Sequence, residues 1–217
     1  MVRKGFRKVD LGCALSRRSF LAVCAMPLVG SAQVEDGFEP LFNGRDLTGW
    51  EGDSLLWLVE DGMLIGRSPG IGYNDFLATE KSYSDFVLRL QVRLVGDVGN
   101  SGMQFRSQRV TGSMEMIGYQ ADIGPSWWGG LYDESRRRRM LVEQDADLIT
   151  KTVRIDEWND YEIEAIGKRL RLKLNGVVTA DYQETDEGIE SGGRIALQVH
   201  SGPALEVRFR NIRLSQL

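Results

Sequence analysis

Cysteine is almost missing from this chain: there are two, Cys13 and Cys24, both within its first 24 positions. If that stretch is removed after synthesis, the remainder has no thiol, no disulfide and no cysteine-based metal site. Histidine occurs once, as His200, so a metal site built from several imidazoles is excluded as well. Basic charge is in deficit, with 27 Lys and Arg against 31 Asp and Glu. The net charge of −4 falls to −9 once the first 32 residues, with six basic side chains and Asp10, are left out. Nucleic acid is therefore not an expected partner. No apolar run approaches the ~20 residues of a membrane helix, and beyond the first 32 residues almost no stretch shows helical periodicity.

What the N-terminus does have is a targeting pattern. Arg3, Lys4, Arg7 and Lys8 lead to Ser16-Arg17-Arg18-Ser19-Phe20-Leu21, then to a short apolar stretch from Leu21 to Val29 interrupted by Pro27. This reads as a twin-arginine export signal, the alternative being an ordinary secretory signal. Gly30-Ser31-Ala32 supplies small residues for cleavage, which places the mature start near Gln33. Cys24 is a poor lipid-attachment site, because Val23 before it is bulky and the preceding apolar run is very short. The expected organisation is a signal over residues 1–32 and one domain over 33–217, acting in the periplasm or outside the cell.

The remaining chain alternates brief β-type runs with Gly, Asn and Asp punctuation, which predicts an all-β sandwich or barrel. Phe86, Leu88, Leu90, Val92 and Leu94 alternate with Val87, Arg89, Gln91 and Arg93, a strand with one buried face. Residues 159–166, 170–174, 177–182, 194–200 and 205–214 read similarly. Asn175-Gly176 predicts a tight hairpin, since a type I′ turn needs positive φ at both central residues. Asp133 to Ile149 reads as a long loop, with a helical turn within it as an option.

Parity then assigns faces, because successive side chains of a strand point to opposite sides. Met103 and Phe105 point to the core, leaving Gln104 and Arg106 opposite; Tyr119, Ala121 and Ile123 leave Gln120 and Asp122; Ile195, Leu197 and Val199 leave Gln198 and His200. A solvated sheet face would give the same alternation. This set, however, is rich in amides and includes the single histidine, and amide and guanidinium groups match the donors and acceptors of sugar hydroxyls. Trp127-Trp128-Gly129-Gly130-Leu131-Tyr132-Asp133-Glu134 sets aromatics beside two carboxylates. Each tryptophan alone reads as core; Trp128 is kept as a stacking candidate, and Tyr132 and Asp133 as site candidates. Asp160, Glu162 and Glu164 imitate a glycosidase carboxylate row, but Lys168, Arg169, Arg171 and Lys173 on the next strand should neutralise them. Within Arg136-Arg137-Arg138-Arg139, Arg136 or Arg137 is the candidate for an inward contact.

These motifs converge on a family. Phe38-Glu39-Pro40-Leu41-Phe42-Asn43-Gly44-Arg45-Asp46-Leu47-Thr48-Gly49-Trp50, Gly99-Asn100-Ser101-Gly102-Met103-Gln104-Phe105-Arg106, Trp158-Asn159, Leu197-Gln198-Val199-His200 and Phe209-Arg210-Asn211-Ile212 occur in this order. Together they resemble the 3-keto-disaccharide hydrolase domain family over residues 38–214. The resemblance implies a concanavalin A-like jelly-roll sandwich of two antiparallel sheets, with the site on one sheet face. It also implies cleavage of glycosides whose sugar carries a ketone at carbon 3. One departure stands out: where the pattern has a glutamate just before Gln, this chain has Gly118 and Tyr119 ahead of Gln120, with Glu115 further back.

A ketone at carbon 3 acidifies the hydrogen on carbon 2, so a general base can remove it and the enolate can expel the group at carbon 1. That chemistry assigns the base to His200 or Asp122 and the acid to Glu134 or Asp133. Gln104, Arg106, Gln120, Tyr132, Gln198, Arg136 and Trp128 would hold the substrate. No cofactor is expected; a metal, if any, would be a weakly held Ca²⁺-type ion on oxygen ligands. The expected partners are a carbohydrate or keto-sugar substrate and, functionally, a sugar oxidoreductase that forms the ketone. A non-catalytic carbohydrate-binding module or an envelope interaction domain of the same fold are the alternatives.

Overall fold

The computed structural model describes Met1 and residues 37–217, and the segment expected to be an export signal lies, beyond Met1, outside the described residues. The described chain folds as two antiparallel sheets packed face to face. One sheet runs, in spatial order, β13 (Val177–Gln183), β12 (Arg169–Leu174), β11 (Asn159–Ile166), β6 (Phe86–Leu94), β15 (Leu205–Gln216), β4 (Met63–Ser68) and β3 (Trp57–Glu60), with β1 (Glu39–Pro40) also paired to β15. The other runs β10 (Arg139–Val142), β9 (Leu131–Glu134), β8 (Met116–Ile123), β7 (Ser101–Arg109), β14 (Gly193–Val199), β5 (Asp75–Tyr83) and β2 (Trp50–Glu51). For brevity these are the β6 sheet and the β8 sheet.

Alternation builds the core. Phe86, Leu88, Leu90, Val92 and Leu94 are all buried on β6, as are Tyr161, Ile163 and Ala165 on β11. They meet Met103, Phe105, Tyr119, Ala121, Ile123, Ile195, Leu197 and Val199 from the β8 sheet. Phe105 links the layers, edge-on to Phe86 at 6.4 Å and stacked on Tyr119 at 5.6 Å. Each fully buried large apolar side chain of this kind stabilises the fold by about 1.5–3 kcal/mol. A polar tie also crosses the core, where the Trp57 indole donates to Asp75 Oδ1 at 2.7 Å.

The Asn175-Gly176 hairpin forms as its residues require, with φ of 49° and 83° and Leu174 paired to Val177. The predicted loop over 133–149 is different: it contains β10, paired to β9, and the helix α1 (Ala146–Thr152). Asp145 caps that helix by accepting from the Asp147 and Leu148 amides at 2.9 and 3.1 Å. Four-residue β10 is too short, and too dominated by its neighbouring charges, to announce itself by alternation. Among the described residues, no helix is long and apolar enough to cross a membrane.

Candidate functional site

The β8 sheet has a second face, turned away from the core, and its register shows which residues share it. Gln104 pairs with Gln120, and Gln120 with Tyr132, so these three lie in one row across β7, β8 and β9. Gly102 pairs with Asp122 and Gly118 with Glu134, which sets Asp122 and Glu134 on the same face in the rows either side. On β14, Gln198 pairs with Phe76 and Ala196 with Gln104, so Gln198 belongs to this face too. A small apolar cluster of Phe76, Ala78, Met116 and Ala196, separate from the main core, forms the floor beside the amides.

The polar side chains form a connected, buried set. Gln104 Nε2 donates to Gln120 Oε1 at 3.2 Å, and Gln120 Nε2 donates both to Asp122 Oδ1 at 2.8 Å and to Gln198 Oε1 at 3.2 Å. Gly102 makes this possible, because a Cβ there would sit 2.6 Å from the Gln120 side chain. Two polar atoms of the set, Gln104 Oε1 and Gln198 Nε2, are buried without a hydrogen-bond partner. A buried acceptor and a buried donor left open cost stability unless something binds them, so they are what a polar ligand would satisfy.

Asp122 is at most 3% exposed, and its burial pushes its carboxyl up to about 8, opposed by the Gln120 hydrogen bond and aided by the charge of Glu134. Its backbone is fixed from three directions. The Asp122 amide donates to Gly130 O at 3.0 Å, Gly129 N donates to Asp122 O at 3.2 Å, and Tyr161, from the other sheet, donates to the same oxygen at 3.3 Å. Glu134 is also raised, by burial and then by Glu115, with His200 pulling it back. Burial raises Tyr132 in the same way, with Glu134 and Asp122 adding to it. His200 follows β14, two residues on from Gln198, half-buried, with Nδ1 2.5 Å from the Ser201 carbonyl. That contact commits Nδ1 and leaves Nε2 as the nitrogen available to a ligand.

Four expected site residues lie elsewhere. Arg106 has φ of 48° and sits in a register shift between Phe105 and Gln108, a β-bulge that interrupts parity. Its guanidinium is directed to Ser84 O at 2.9 Å, Gly167 O at 2.6 Å and Asp85 Oδ1 at 2.8 Å, where it ties the connection between the two sheets to the β11–β12 turn. Asp133 follows Tyr132 on β9 and so points to the other side, fully buried. There it holds Arg136 Nε at 3.0 Å and Arg137 Nη1 at 3.2 Å. Arg136 lies over the Tyr119 ring at 4.6 Å, so it too belongs to this inner network. The network closes on Glu184, which accepts from Arg137 at 2.8 Å and from the Tyr119 hydroxyl at 2.6 Å. Burial works against the Glu184 charge, but those hydrogen bonds and the Asp186 amide hold its carboxyl down to about 2. Trp128 is 3% exposed in the main core and donates to Asp97 Oδ1 at 3.0 Å. The Asp160–Glu162–Glu164 row is charge-paired on the far side of the β6 sheet: Glu162 meets Arg89 and Lys173 at 2.5 Å, and Glu164 meets Arg171 at 3.4 Å.

Asn100 was not singled out, yet its Oδ1 is buried without a partner just ahead of β7. Its even spacing from Gly102 and Gln104 is the signal that marks it. Tyr161 could not have been found, since in sequence it is one more core position of β11. Among the described residues, no group of three or more His, Cys, Asp and Glu side chains is gathered as a metal site.

Fold and site together define a concanavalin A-like jelly-roll sandwich that carries an amide-and-carboxyl cluster on one sheet face. The chain belongs to the family described as the 3-keto-alpha-glucoside-1,2-lyase-like domain, whose model matches residues 37–215. Among curated proteins nothing matches it. A Parabacteroides distasonis protein named "putative glycosyl hydrolase" is 23% identical, with a TM-score of 0.63, over 83% of this chain and 94% of that one. The carbohydrate-binding module CBM66 of Bacillus subtilis is 20% identical, with a TM-score of 0.59, over 77% of this chain and 96% of its own. The Bacillus licheniformis β-glucanase, at 12% identity and a TM-score of 0.56, covers 83% of this chain and 97% of its own. At these identities the likenesses describe the fold.

Proposed function

We propose that the domain acts on carbohydrate and cleaves the glycosidic bond of 3-keto-glycosides by elimination. The Asp122 carboxylate takes the hydrogen from carbon 2, and the electrons of that bond form the enolate, with its charge on the oxygen at carbon 3. As the ketone re-forms, a double bond develops between carbons 1 and 2 and the oxygen at carbon 1 leaves, taking a proton from Glu134. Addition of water, hydroxyl to carbon 1 and hydrogen to carbon 2, completes a net hydrolysis. A substrate of this kind must be made by an enzyme that oxidises the carbon 3 hydroxyl.

The observation that carries the reading is Asp122: a buried carboxyl at about 8, oriented by Gln120, beside amides with an unused donor and an unused acceptor. A base with its pKa close to the working pH transfers protons efficiently. Amide donors aimed at a developing enolate oxygen lower the barrier in a site shielded from water. Burial and the neighbouring Glu115 raise Glu134, which favours the protonated form that the leaving oxygen needs.

The test is isotopic. In deuterated water, turnover of a 3-keto-glucoside should place deuterium on carbon 2 of the sugar product, while the unoxidised glucoside stays intact. Cleavage of both sugars with no label at carbon 2 would mean direct displacement by paired carboxylates instead. Binding without any product would mean a carbohydrate-binding module.

A further inference from the structure

The loop that carries His200 is held by a second loop, residues 69–74, and the hydrogen bonds between them converge on Ser201. The β5–β14 ladder ends where Val199 pairs with Asp75. Beyond that point a side chain takes over from the backbone, and Asn74 Oδ1 accepts from the Ser201 amide at 2.9 Å. Main-chain pairing resumes at Ile71, whose carbonyl accepts from the Gly202 amide at 2.8 Å. Asn74 itself leads straight into β5, where Asp75 is fully buried and bonded to the Trp57 indole, so the clamp is anchored in the core.

Both peptide units that flank Ser201 are thereby fixed. Its amide is committed to Asn74, and the peptide that carries its carbonyl is held through the Gly202 amide. That carbonyl can only accept, so Nδ1 of His200, 2.5 Å away, carries the hydrogen. The Ser201 hydroxyl could donate to a bare Nδ1, but it lies 3.5 Å off and cannot compete with the closer carbonyl. A neutral imidazole protonated at Nδ1 has its lone pair at Nε2, which makes that nitrogen an acceptor. His200 also acts on the charge of Glu134, which register places on the Asp122 face, so the ring lies within electrostatic reach of the cluster.

We propose that Asn74 is a positioning residue: by holding the Ser201 amide it fixes the carbonyl that selects the Nδ1–H tautomer of His200, and so presents Nε2 as the acceptor for a hydroxyl of the bound sugar. The hydroxyl contact rests on the proposed carbohydrate function, whereas the tautomer does not. Which imidazole nitrogen is protonated is set by the partner of the other, and a carbonyl on a loose loop would not hold that choice. Each sugar hydroxyl brings a donor that the site would otherwise leave open, and a fixed Nε2 satisfies one of them.

His200 is the single histidine of the chain, so long-range proton–nitrogen NMR spectra of the untagged, isotope-labelled protein report one imidazole. Above the ordinary histidine range of about 6.5, wild type should show Nδ1 as the protonated nitrogen and Nε2 as the bare one. Asn74→Ala should draw the two nitrogen shifts together as the tautomers mix, and should raise KM for a 3-keto-glucoside about fivefold with little change in kcat. Asn74→Asp, which keeps the acceptor, should return both to wild type. A wild-type ring protonated at Nε2, or an Asn74→Ala spectrum identical to wild type, would overturn the positioning role. Mixed tautomers with an unchanged KM would keep that role and overturn the hydroxyl contact. If wild type cleaves no keto sugar, the cleavage reading fails alone: the spectra still decide the tautomer, and calorimetric titration of the sugar into wild type and Asn74→Ala decides the contact by the same fivefold loss.

Discussion

A carboxyl held at about 8 in the folded protein, against its ordinary 3.8, binds a proton that the unfolded chain has already released across that interval. Stability therefore falls as pH rises from about 4 to 8, by up to about 1.4 kcal/mol per pH unit, because the unfolded state binds fewer protons there. Asp122→Asn removes this dependence, so the variant should gain stability relative to wild type between pH 5 and pH 8.5. Urea midpoints at the two pH values check it, and an equal difference at both would show that Asp122 titrates normally. At this scale alternation located Gln104, Gln120, Asp122 and Gln198, since those positions lie on strands whose parity is unbroken where they sit. It could not locate Asp133: neighbours on one strand face opposite ways, so Tyr132 and Asp133 cannot both reach Gln120, and nearness to Gly129-Gly130 in sequence says nothing of the face. Trp127 and Trp128 were equally opaque, because a turn rather than a strand decides which of the two is buried.

Among the elements, β7 shows where pattern reading stops. One bulge at Arg106 changes a sugar-binding candidate into a brace that joins the turn at Ser84 and Asp85 to the turn at Gly167. Glycine is needed on both flanks, since a Cβ at Gly193 would meet the Arg106 backbone at 2.5 Å and one at Gly118 would strike Ser107 Oγ at 2.1 Å. At Gly118 the bulged neighbour leaves no room for a side chain. Arg106→Ala should cost about 2 kcal/mol of folding stability, since it removes the charge-assisted bonds to Asp85 and to the Ser84 and Gly167 carbonyls. KM for the keto sugar should stay at its wild-type value, as measured on protein kept well below its unfolding midpoint. A raised KM with unchanged stability would return Arg106 to the site. The Asn175-Gly176 hairpin, by contrast, was legible because two residue types with one backbone preference determine it.

The whole molecule was the most readable level, since the order of motifs from Phe38 to Ile212 identifies family and fold together and the alternation supports them independently. What sequence could not supply was the depth at which the amide row is buried, and with it the proton affinity of Asp122. That affinity is a property of two packed sheets: β7, β9 and β14 surround the carboxyl, and Tyr161 grips its backbone across the core. The most direct measurement is the pH dependence of kcat/KM for a 3-keto-glucoside, taken on wild type and on Asp122→Asn with the fold of each verified. With deprotonation at carbon 2 as the limiting step, wild-type kcat/KM should climb with pH to a plateau with its midpoint near 8, and the variant should lose at least about 100-fold throughout. A variant that turns over at the wild-type rate, or a wild-type profile that is flat through that range, would contradict the assignment of Asp122 as the base.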